Sequence, residues 1–317
     1  MPTPIEQSAF RVLAYFAFFQ FPLTALEVWK WCDLPGATLV DIDGVLTSSL
    51  WLQKHGCVQD QGFFALGNTC VWRTERITRV GDALRKSRRA QWFVRIASWL
   101  PWVKMIAVCN SLAFSFTNAE SDIDVFIVTS RGGIWSTRLL LAGALALMHA
   151  RPGERAKDPM CLSFFVADDR LDLSAVKIGS DDPYFLFWLA TLSPILDRSD
   201  ILSKLRAANG WMRPTLPHAR SVLRAQAYRV EGVCVLPNVR GIERIAERMQ
   251  RARFPLNLRT MMNADTRVVV TDSMLKFHHN DRRHEILQAY ESLLSQLDDT
   301  VSLGSDLSPA LANAMDV

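Results

Sequence analysis

Asp122 and Asp124 stand one residue apart at the head of the apolar run Ile123 to Thr129. Successive side chains of a strand point to opposite faces, so a strand here sets both carboxylates on the same side. Carboxylates are poor strand formers, and two of them beside a hydrophobic run repel each other. A hard divalent cation with oxygen ligands relieves that repulsion, and Mg²⁺ is the expected one. Upstream, Asn110-Ser111 closes the apolar run that begins at Ile106. A serine hydroxyl and the N–H groups of a turn there suit phosphate oxygens. Asp122 and Asp124 are therefore the candidate metal-binding and catalytic pair. Asn110, Ser111 and Ser121 are the candidate phosphate-binding residues.

The elements that must position them are two apolar strands joined by a loop of small and polar residues, spanning Ile106 to Thr129. Taken together, these residues resemble the nucleotidyltransferase superfamily that includes DNA polymerase β and the small bacterial nucleotidyltransferases. Its pattern is an apolar strand, Gly-Ser or Gly-Gly, a short loop, then Asp-x-Asp in a second apolar strand. Ser111 matches the family's serine, and Asp122 and Asp124 match its metal-binding pair. Asn110 departs from the pattern, standing where the family has Gly. Asn is the non-glycine residue that best tolerates a left-handed backbone, so the turn can survive.

The resemblance implies transfer of a nucleotidyl group from an NTP to a hydroxyl acceptor, with two Mg²⁺ ions held by the aspartates. It also implies a third carboxylate on a following strand. The next strand expected here, Cys161 to Val166, has Ser163 at its inward position, and Asp168 and Asp169 lie just past its end as the nearest substitutes. That gap leaves an alternative: a catalytically degenerate relative serving as ligand sensor, scaffold or DNA-binding regulator.

The remaining chain reads as an α+β protein. It has a nucleotidyltransferase-fold mixed sheet, an N-terminal winged-helix-like module and a helical C-terminal region. The expected parts are residues 1–72 (winged-helix-like), 73–103 (a linking helix), 104–200 (catalytic), 201–298 (helical) and 299–317 (a loose tail). In the first part, helices are expected over Ser8–Phe19, Ala25–Cys32 and Leu39–Lys54, with Thr24 and Glu27 forming a capping box. A hairpin over Cys57–Leu66 follows. The third helix has acidic residues and no basic residue before Lys54, which disfavours nucleic acid as a partner.

The linking segment carries Arg73, Arg76, Arg79, Arg85, Lys86, Arg88, Arg89 and Arg95 among apolar residues. It is expected as one amphipathic helix with a solvated basic face, an apolar stripe drawn from Ile77, Val80, Leu84, Trp92, Phe93, Ile96, Trp99 and Leu100, and a kink near Gly81. Further helices are expected over Ile134–Ala150, with Arg138 in an ion pair, from Pro183, over Ile201–Ala208 with Ser199-Asp200 as its cap, over Ile242–Phe254, and over Asp281–Leu297. Pro152 to Pro159 is expected as a charged loop able to close over a site. The adjacent His278 and His279 face opposite ways in an extended segment and do not suit one metal.

The 317 residues are 49% hydrophobic and 21% charged, a globular composition, and the net charge of +4 permits an anionic partner without demanding one. The six cysteines show no zinc spacing, and the start lacks a basic-then-apolar signal design. The most apolar segment, Ile134 to Met148, is interrupted by Arg138 and is short for a bilayer. A cytoplasmic location without a membrane partner is expected.

Overall fold

Thr3 and Glu6 fix where the first helix begins. The Thr3 hydroxyl accepts from the Glu6 N–H, and the Glu6 carboxylate accepts from the Thr3 N–H. In the computed structural model, which describes residues 1–152, 157–219, 229–235 and 242–297, this helix is α1 (Pro4–Ala17). The same reciprocal cap, Thr24 with Glu27 and Thr38 with Asp41, opens α2 (Ala25–Trp31) and α3 (Leu39–Ser48). The helix expected to run on to Lys54 is divided in two. Ser49 leaves the helical conformation, and its hydroxyl accepts from the Leu52 N–H to start α4 (Leu50–Lys54). Strands β1 (Leu23–Thr24), β2 (Cys57–Asp60) and β3 (Phe63–Leu66) form an antiparallel sheet in the order β1-β3-β2. Gln61 and Gly62, both with positive φ (47° and 81°), make the tight turn between β2 and β3.

Helix α5 (Thr69–Ala97) runs through Gly81 without interruption and ends before Val103, which belongs to the next strand. Its basic residues are not a solvated face. Arg76 grips both oxygens of the Glu27 carboxylate at 2.6 and 2.8 Å, Arg73 meets Asp60, and Arg85 reaches Asp158 at 2.8 and 2.9 Å. The buried face follows the expected apolar set only in part: Phe93 and Leu100 are buried. Ile77, Val80, Leu84, Trp92 and Trp99 are exposed, while Ala83, Ala90, Phe93, Val94 and Ala97 are buried. The alanines let the helix lie close to the sheet, which bulky side chains at those positions would prevent.

The main sheet is built from β4 (Val103–Val108), β5 (Ile123–Thr129), β6 (Met160–Ala167), β7 (Ser193–Asp197), β8 (Val268–Val270) and β9 (Met274–Phe277), in the order β7-β4-β5-β6-β9-β8. The short α6 (Asn110–Ala113) follows β4, and α7 (Ile134–Leu147) crosses over to place β6 parallel to β5. The other strand pairs are antiparallel, so the architecture is mixed α+β. After β6 come α8 (Pro183–Thr191), α9 (Ile201–Ala208), α10 (Met212–Thr215), α11 (Glu243–Ala252), α12 (Leu256–Met261) and α13 (Arg283–Leu294).

Residues 193–197 form an edge strand. One expectation about the second half is corrected. The region 201–298 is not purely helical, because β8 and β9 complete the sheet against β6. Asp200 is the N-cap residue of α9, as expected, but it sits with Ser199 in a left-handed turn (φ 55° and 61°) and its side chain makes no capping hydrogen bond. The Asp197 carboxylate accepts from the Ile201 N–H at 2.8 Å instead. On α11, Ile245 and Met249 are exposed, and Ala246 with Gln250 face inward.

One face of the sheet packs Ile106, Val125, Ile127 and Phe165 against α5 and α7. The other packs Ala107, Phe126, Val128, Phe164 and Val166 against α8 and α9. The core of the first 66 residues is continuous with the rest of the chain. Tyr15 stacks on Phe187 of α8 with ring centroids 4.0 Å apart, and Phe116 and Ile286 join the same cluster. The loop 152–159 is described only in part, with Asp158 held by Arg85, and the tail 299–317 lies outside the described residues. No helix among the described residues is long and apolar enough to cross a membrane.

Candidate functional site

Strand β5 carries Asp124 on the face shared with Phe126 and Val128, and Asp122 immediately precedes the strand. Both carboxyls are held above the usual carboxylate range. Burial is the main cause for Asp122, with the charge of Asp124 adding to it. Burial also raises Asp124, opposed by hydrogen bonds from Asn110 and Cys161 and by the charge of Lys86. An anion at either position is therefore disfavoured until a cation accompanies it.

Asn110 takes the left-handed conformation, φ 52°, that the sequence suggested. Its amide then does what glycine could not. Nδ2 donates to Asp124 Oδ2 at 2.8 Å, and Oδ1 accepts from the Tyr184 hydroxyl at 3.1 Å. The helix α8 that supplies Tyr184 is itself set by Pro183 at its start and by Asp182, which accepts from the Phe185 N–H. Ser111 lies beside Asn110 on α6 and lines the cavity described below. Ser121 is engaged inside its own turn: its hydroxyl accepts from Lys86 Nζ at 2.8 Å and from the Asn118 N–H at 3.2 Å.

Lys86 is fully buried. It donates to the carbonyl oxygens of Asn118 and Ser121 and lies 3.3 Å from Asp82 and 3.8 Å from Asp158. One ammonium thus fixes both ends of the loop that delivers Asp122. Spacing alone did not separate Lys86 from the arginines around it.

The substitutes for a third carboxylate are misplaced. The Asp168 N–H donates to Thr129 O, and its carboxylate accepts from the Arg131 N–H. Asp169 pairs with Arg131. Both sit at the far end of β5 from Asp124, a strand length of roughly 20 Å away. Parallel pairing with β5 carries β6 past the sheet's opposite edge before these residues are reached. The residue facing Asp124 is Cys161, whose thiol bonds to it and is pushed upward by burial. A register shift between that pair and the next leaves Ser163 beside His278, with Oγ to Nε2 at 3.5 Å.

The two aspartates suit a hard dication by charge, by shared face and by the penalty on their bare anions. They do not form a larger ligand set, since no cluster of three or more His, Cys, Asp or Glu side chains suited to a metal occurs among the described residues. Arg138 is remote from the pair and makes no ion pair among the described residues. It donates to Gln250 at 2.7 Å, lies over the Phe277 ring at 4.4 Å, and is lowered to about 10 by burial.

Beside the β4–α6 turn lies a cavity of about 200 Å³, lined by Asn110 and Ser111 and by Phe16, Phe18, Phe21, Phe114, Phe116 and Tyr184; Asp122 and Asp124 are not among its lining residues. His278 and Lys276 line it from β9 and the segment beyond. Burial and the nearby charge of Lys276 lower His278 to about 3, and burial with the charge of Arg283 lowers Lys276 to about 8. Long-range convergence of four separate stretches makes this wall, so no local pattern announces it. In comparisons with known proteins, no family model, no curated protein and no solved structure matches the chain.

Proposed function

We propose that this chain is a Mg²⁺-dependent nucleotidyltransferase that moves a nucleotidyl group from an NTP to a hydroxyl acceptor. The reading rests on one arrangement: Asp122 and Asp124 at the head of β5, facing a β4–α6 turn in which Asn110 adopts φ 52° and holds Asp124. The acceptor oxygen bonds to the α-phosphorus as the bond from that phosphorus to pyrophosphate breaks, and the hydroxyl proton passes to water. Mg²⁺ held by Asp122 and Asp124 would lower the pKa of the acceptor hydroxyl and offset the charge leaving with pyrophosphate. The chain's own part is positioning. Tyr184 and Asn110 orient the Asp124 carboxylate, Lys86 stiffens the loop before Asp122, and Ser111 offers a hydroxyl to the phosphates.

Calorimetry with Mg·ATP tests the reading: binding is expected for the wild-type chain and not for Asp124→Ala. Absence of Mg²⁺-dependent NTP binding would remove it.

A second reading, a non-catalytic NTP or ligand sensor, is favoured by Cys161 standing opposite Asp124 and by the remoteness of Asp168 and Asp169. It predicts the same binding but no pyrophosphate release with any acceptor. DNA binding has little support, since the solvent face of α3 carries Asp41 and Asp43 and no Lys or Arg.

A further inference from the structure

We propose that the hydroxyl acceptor is an uncharged aromatic alcohol, bound in the cavity between α1 and the sheet with its ring against phenylalanines and its hydroxyl toward His278. This deepens the nucleotidyltransferase reading and rests on it for the word acceptor, while the binding itself does not need NTP or metal.

Three observations carry it. The wall is aromatic from several directions. Phe16 meets Phe114 edge-on at 5.6 Å and Phe21 meets Phe116 edge-on at 4.9 Å, with Arg76 over the Phe21 ring and Arg79 over the Phe116 ring, so a further ring meets an aromatic surface already suited to flat partners. The cations at the rim already have acids. Arg79 pairs with Glu75, Arg282 with Glu285, Lys276 lies 3.7 Å from Asp281, and Arg283 joins Asp182 at 2.9 Å and Asp281 at 2.7 Å. A triphosphate or a carboxylate entering this space would find no unmatched positive charge there. Third, His278 Nδ1 is buried without a hydrogen-bond partner, and His278 is the cavity-lining residue of which this is true among the described residues. With Nε2 toward Ser163 Oγ, a tautomer carrying its proton on Nε2 leaves Nδ1 as an acceptor for one hydroxyl.

The cavity also adjoins the chemistry. Asn110 lines it and holds Asp124, and Ser111 lines it too, so a hydroxyl at its inner end lies beside the phosphate-binding turn.

The test is calorimetric titration of the full chain, without NTP or Mg²⁺, using 2-naphthol, naphthalene and myo-inositol as probes. Binding of 2-naphthol is expected, about tenfold weaker binding of naphthalene, and none of myo-inositol. His278→Phe, which keeps a flat ring in place, should erase the difference between naphthol and naphthalene. Phe114→Ala should weaken both about tenfold. Asp124→Asn should leave naphthol binding unchanged, so the outcome is separate from the fate of the nucleotidyl-transfer reading. No naphthol binding, equal binding of naphthol and naphthalene by the wild type, or tighter binding of myo-inositol would overturn the proposal. So would competitive displacement of naphthol by Mg·ATP, which would place the nucleobase in the cavity.

Discussion

At the scale of single residues, the site depends on side chains held in states they would not choose alone. Asp122→Asn and Asp124→Asn are expected to lower nucleotidyl transfer by about a hundredfold or more, since each removes a charge offered to the metal. Their thermal midpoints should stay level or rise, because the neutral amide removes an anion that burial disfavours. A pyrophosphate-release assay beside a thermal melt separates the two effects. At Asn110 the comparison of Gly and Ala is informative. Asn110→Gly keeps the left-handed turn and loses the bond to Asp124. Asn110→Ala also adds backbone strain of roughly 1–2 kcal/mol, so it should be the less stable in urea unfolding. Lys86→Met leaves two loop carbonyls without their donor, while Asp82 and Asp158 keep Arg85, and should cost about 2 kcal/mol in the same measurement.

At the scale of elements, local chemistry sets some ends and tertiary packing sets others. Thr24 with Glu27 is legible because both partners lie within one turn, and α2 begins where that pair requires. Helix α7 has no such local cap. Its first N–H groups, at Trp135 and Ser136, donate to Glu243 of α11 at 2.8 and 2.9 Å. Glu243→Ala should therefore destabilise the chain by about 1 kcal/mol, read as a shift in urea midpoint, although it removes no residue of α7. The face of α5 shows the same limit. Its arginines and apolar residues alternate closely enough to allow either side inward, and the alanines win because the sheet lies behind them.

At the scale of the whole molecule, stability against acid should report on the buried His278. Its native value of about 3 lies below the ordinary 6.5, so between those values the unfolded chain binds a proton that the native chain does not. Stability contributed by this group is full above pH 6.5 and is lost as pH falls toward 3, on the order of 5 kcal/mol. Denaturant unfolding from pH 7 to pH 4 should show that decline, and His278→Phe should flatten it. A wild-type slope unchanged by the substitution would count against burial of the neutral ring.

The Asp-x-Asp pair, the left-handed Asn110, the capped helices and the β2–β3 hairpin could be read from sequence because each is specified by residues a few positions apart. Contacts between distant stretches decided the rest. The pairing of β9 with β6 turned a supposedly helical C-terminal region into part of the sheet, and parallel register with β5 put Cys161, not an acid, opposite Asp124. The packing of α1 on α8 closed an aromatic cavity beside Asn110 and Ser111. Hydrogen bonds between neighbours are written in spacing. Register and burial are settled only when separate parts of the chain compete for the same surface.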